Sequence, residues 1–147
     1  MGVAVELLDG IVTMISSSPD FSSIDVNRQL LPDIEKKDLA TSVIVTLQNK
    51  TSMEVSRSNE MVSYVVGIGF YYPCTTIADY ETALDLLETL HDWILDRDNR
   101  NITLSGGVAC LNMPWEMSSP FDPALLNEAN TYFAITEFTY TFTKSRS

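Results

Sequence analysis

Residues 62–72, VSYVVGIGFYY, and residues 131–143, TYFAITEFTYTFT, are the two stretches that set the fold. The first is β-branched and aromatic almost throughout, which suits a pleated, packed surface and predicts a strand. In the second, Phe138, Tyr140 and Phe142 share one face while Thr139, Thr141 and Thr143 share the other. That period of two marks a half-buried strand. Working outward, residues 41–47 (TSVIVTL) predict another strand. Residues 102–111 (ITLSGGVACL) predict a fourth, with a bulge or bend at Gly106-Gly107. Residues 48–61 are polar and too many for a tight hairpin; they read as a long loop, part of which, 53–56, extends a strand.

Two helices bracket the first pair of strands. Val3, Leu7, Ile11, Met14 and Ile15 fall at helical spacing over residues 3–16, with Glu6 and Asp9 for the wet side. Gly10 costs this helix about 1 kcal/mol of propensity. Residues 20–38, punctuated by Pro32, read as an ordered surface connection. The second helix opens at Thr76, with Asp79 three residues later in a carboxylate version of the capping box. Tyr80, Leu84, Leu87, His91 and Ile94 mark its inner stripe. Glu81, Asp85, Glu88, Asp92 and Asp96 form an acidic stripe about 120° away from that one. Arg97 and Arg100 follow the end, where positive charge suits the helix dipole. Residues 112–121 form a second long loop, and Asp122-Pro123 opens a short helix through Ala129. The expected fold is α+β: one domain over residues 1–147, a mainly antiparallel four-stranded sheet with helices packed on one face.

Composition narrows the function. Twenty acidic against nine basic residues leave a formal charge of −11. Such a surface repels a phosphate backbone, so nucleic acid is not the expected ligand. No basic leader and no apolar run of about 18 residues is present, so neither a signal peptide nor a membrane span is expected. Asn49 and Asn101 head chance glycosylation sequons on that view. Cys74 and Cys110 match no metal spacing and are expected to be free thiols.

The constellations for catalysis are weak. His91 is the sole histidine, and its neighbour Asp92 points about 100° away on a helix, so the two are not a preset base and orienter. Neither cysteine carries a nucleophile signature, and Gly67-Ile68-Gly69 lacks the third glycine and following helix of a dinucleotide loop. The acidic stripe reads as a solvated face. Neither enzyme activity nor a cofactor or metal is expected. The two long loops carry residue types enriched at protein interfaces: Lys50, Met53 and Arg57 in one, Trp115 and Met117 in the other.

One family shares this order of elements. Residues 41–73 (TSVIVTLQNKTSMEVSRSNEMVSYVVGIGFYYP), 79–95 (DYETALDLLETLHDWIL) and 119–144 (SPFDPALLNEANTYFAITEFTYTFTK) resemble the tail terminator and neck proteins of long-tailed bacteriophages. What matches is a strand, a polar loop with Arg57, a strand with small residues, an acidic helix, the Phe-Asp-Pro stretch 121–126 and a final aromatic, Thr-rich strand. The resemblance implies a virion protein, assembled in the host cytoplasm, that forms a ring, commonly a hexamer, at the top of the tail tube. Such rings end tube growth and join the tail to the head connector. The partners implied are further copies of the chain, the tail tube protein and connector proteins, with no membrane and at most passive contact with DNA in transit. The two loops are then candidates for subunit or tube contacts. The stripe from Glu81 to Asp96 faces either the channel or bulk solvent. With the last strand close to Ser147, reach towards a neighbour is expected from the loops or the N-terminal helix. A head-completion or minor capsid protein of similar build, or a small non-viral α+β protein-binding module, stands as the alternative.

Overall fold

The computed structural model describes residues 2–28, 41–104, 109–112 and 131–145. Along the chain these form α1 (Val3–Ser16), β1 (Asp25–Arg28), β2 (Ser42–Glu54), β3 (Asn59–Pro73), α2 (Ile77–Leu95), β4 (Ile102–Thr103), β5 (Ala109–Asn112) and β6 (Thr131–Ser145). The strands make one six-stranded sheet in the order β1-β2-β3-β6-β5-β4. β1 runs parallel to β2, and every other pairing is antiparallel. The class is α+β as expected, but the four-stranded sheet is corrected to a mixed six-stranded one. β1 escapes a reading by pattern because four residues, DVNR, carry a single large apolar side chain. The stretch 102–111 is two short antiparallel strands, Ile102 opposite Cys110, rather than one. Gly106-Gly107 and the expected helix over 122–129 lie outside the described residues.

Both helices pack on one face. Leu7, Ile11 and Ile15 of α1 and Ala83, Leu87, Leu90 and Ile94 of α2 join Val45, Val66, Ile68, Phe70 and Phe138 in the main core. On β6 the expected alternation holds: Phe138 and Tyr140 are buried on the helix side, while Thr139 and Thr141 are half-buried on the other. The opposite face is not wholly wet, since Ile44, Tyr71 and Phe133 form a second buried cluster there. Tyr71 and Phe133 sit in register on neighbouring strands with their rings stacked at 4.4 Å.

The largest departure is at residues 48–61. They form no long loop: β2 and β3 stay paired from Asn49 opposite Val65 to Glu54 opposite Glu60, and residues 55–58 make the turn. β6 accompanies β3 as far as Ser145 opposite Asn59. The three strands therefore run on together as an arm, into whose root Val62 and Tyr64 of β3 and Phe142 of β6 carry the main core. Its side chains on β2 are exposed from Gln48 onward, so burial leaves no apolar alternation to read. Backbone pairing of β3 on both sides, with Val62, Tyr64 and Phe142 packed at the root, holds the arm together. A bulge between Leu47 and Asn49 marks its root. Gly67 makes room for it: a Cβ at that position would collide with the Gln48 side-chain amide.

Candidate functional site

The start of α2 is built as its sequence predicts. The Thr76 hydroxyl accepts from the Asp79 N–H at 3.1 Å, and the Asp79 carboxylate accepts from the Thr76 N–H at 3.3 Å. That carboxylate also takes the Thr75 N–H at 3.1 Å. The Thr75 N–H, with further hydrogen bonds from the Thr76 and Thr75 side chains, holds its carboxyl below the usual range. So fixed, α2 turns a different stripe inward from the one expected. Ala83, Leu87, Leu90 and Ile94 are buried, whereas Tyr80 is 40% exposed and Leu84 and His91 are half-buried. The inner face is thus rotated by about 50° at 100° per residue. The acidic stripe gains from this. Glu81, Asp85, Glu88, Asp92 and Asp96 are all exposed and point almost directly away from the sheet.

His91 faces the sheet at the flank of α2. Its Nε2 lies 2.6 Å from the Thr136 hydroxyl, and its ring stands edge-on to Phe138. Burial pushes its pKa down, with Asp92 acting the other way. The ring is held by that hydrogen bond and by its packing on Phe138. Cys74 and Cys110 are free and buried, and burial pushes the Cys110 thiol up to about 11. Among the described residues no group of three or more His, Cys, Asp or Glu side chains gathers as a metal site, and no helix is long and apolar enough to cross a membrane.

The arm brings the other sequence candidates together. Lys50, Met53 and Arg57 are all exposed on it, Met53 opposite Met61 and Arg57 in the turn. The Lys50 ammonium sits 5.8 Å from the centre of the Tyr64 ring. At the arm's root an open groove is lined by Val3, Leu47, Tyr64 and Phe142 and flanked by Lys50, Lys144 and Glu60. Tyr64 and Phe142 stack in it with their planes 8° apart. Trp115 and Met117 lie outside the described residues. Further exposed residues lie outside the contact sites expected from the sequence, among them Val55 and Lys144 on the arm and Ile77 and Tyr80 on α2. Lys144 alone carried a signal, since it continues the even-numbered face of Phe138, Tyr140 and Phe142.

A solved structure shares this fold from end to end. The match is to a chain from a structure described as the virion of a native gene transfer agent particle, with a TM-score of 0.61. It covers 97% of this chain and 98% of that one at 11% identity, a likeness of fold alone. No protein-family model and no curated protein matches the chain.

Proposed function

We propose that this chain is a structural protein of a phage-like virion that assembles as a ring at the head–tail junction, ends growth of the tail tube and joins the tail to the connector. The observation that carries this reading is the whole-chain likeness to a chain of a gene transfer agent virion, with neither chain leaving a large part unmatched. The surface chemistry supports it. Of the residues weighed for catalysis, His91 is hydrogen-bonded to Thr136 and both thiols are buried. What stands exposed instead is an extended arm with charged and apolar side chains, and a helix with six carboxylates and no Lys or Arg between residues 77 and 96. An extended arm suits contacts with neighbouring subunits or with the tube. A net charge of −11 per subunit also gives DNA in transit little to bind. Gold-labelled antibody against the chain, applied to particles purified from producing cells, is expected to decorate the head–tail junction at the top of the tail. Label spread over the shell, or none on intact particles, would contradict the placement.

A further inference from the structure

Among the described residues the large exposed apolar side chains are Val3, Met53, Val55, Ile77, Tyr80 and Leu111. Ile77 and Tyr80 stand 78% and 40% exposed on the first turns of α2, while Met53, in register with Met61, lies on the face of the arm away from Lys50 and Tyr64. The groove at the arm's root adds an apolar floor of Leu47, Tyr64 and Phe142. Lys50 and Lys144 flank that groove beside Glu60, a net positive lining, with Glu54 further out along the same face. Beside Ile77 and Tyr80 stand Glu81, Asp85 and Glu88, all exposed, with no cation on that helix. Each surface is thus an apolar centre with a charged rim, and the rims are of opposite sign. Interfaces between proteins share that anatomy, and an amphipathic helix in an apolar groove is a recurrent mode of it.

The two surfaces cannot meet within one chain. Tyr80 packs edge-on against Tyr132 at 5.8 Å, at the start of β6. Phe142, in the groove, lies ten residues further along the same strand, about 33 Å away at 3.3 Å per residue. A contact between different patches of identical chains is head-to-tail, and head-to-tail contacts close into rings when the rotation allows. The geometry points to a second copy of this chain as the occupant of the groove. The first half of its α2 lies along the arm's root, with Ile77 and Tyr80 against Tyr64 and Phe142, and Glu81 and Glu88 towards Lys50 and Lys144. This contact rests on the ring proposed above and deepens it, by taking the leading half of the acidic stripe for a subunit boundary rather than for the channel.

Charge reversal of the full chain tests it. Lys50→Glu with Lys144→Glu, and separately Glu81→Lys with Glu88→Lys, alter exposed side chains, and unchanged circular dichroism verifies that both variants fold. Each pair brings like charges together and is expected to weaken self-assembly on the order of tenfold or more by sedimentation. Combining all four substitutions in one chain restores opposite signs and is expected to restore assembly. Wild-type assembly that neither pair disturbs, or disturbance without rescue, overturns this contact and leaves the ring standing. A wild-type chain that remains monomeric at every concentration overturns the contact and self-assembly of the ring together.

Discussion

The indole N–H of Trp93, in the last turn of α2, donates to the backbone carbonyl of Met14, in the last turn of α1, at 2.8 Å. The final carbonyls of a helix lack partners within it, and this one is also met by the Ser17 hydroxyl at 2.6 Å. The bond pins the two helices to each other above the same face of the sheet. Trp93→Phe keeps most of the ring packing and removes the donor. With Ser17 still satisfying the carbonyl, the expected cost is about 1 kcal/mol of stability. In a thermal melt that is a fall of about 2–4 °C. No shift would mean the bond is not formed in solution.

Gly10 lies in the middle of α1, where helix propensity alone favours Ala by about 1 kcal/mol. A Cβ there would stand 2.6 Å from Cγ2 of Ile102, the first residue of β4. Ile102 is β-branched and stiff, so the contact is not relieved cheaply. Gly10→Ala is therefore expected to destabilise by about 1 kcal/mol net, overpacking outweighing propensity. In an Ile102→Ala background the same change is expected to stabilise. A double-mutant cycle in urea reads the sign reversal directly.

His91 should make stability depend on pH. Its pKa is lowered in the folded state from the ordinary 6.5, chiefly by burial. The unfolded chain then binds the proton more readily, so stability is complete above about pH 6.5 and falls as the pH drops through the lowered folded value. The slope should disappear in His91→Gln. As the sole histidine its ring proton can be followed by NMR, and a titration midpoint at or above 6.5 would contradict the buried contact with Thr136.

What could be read from the sequence divides along burial. Residues 62–72 and 131–143 were legible as strands, because half of each faces a core and shows it. Thr76 and Asp79 were legible because capping is local chemistry. The arm was not, since residues 48–54 are exposed and their strand state comes from pairing with β3 rather than from their own pattern. Of the expected inner stripe of α2, Leu87 and Ile94 are buried and Leu84 and His91 half-buried, while Tyr80 is exposed and Ala83 and Leu90 complete the contact. The carboxylates from Glu81 to Asp96, whose common face needs only spacing to be read, are exposed. Lys50, Met53 and Arg57 are interface candidates by residue type, and their common location on one arm needs the hairpin to be seen.

The mass of the purified chain in solution, by light scattering behind a sizing column over a range of concentration and salt, tests the ring most directly. A discrete closed species of about six subunits, loosening as salt screens its charged rims, is the expected result. A monomer across the whole range, or an open-ended series of sizes without a preferred one, would contradict it.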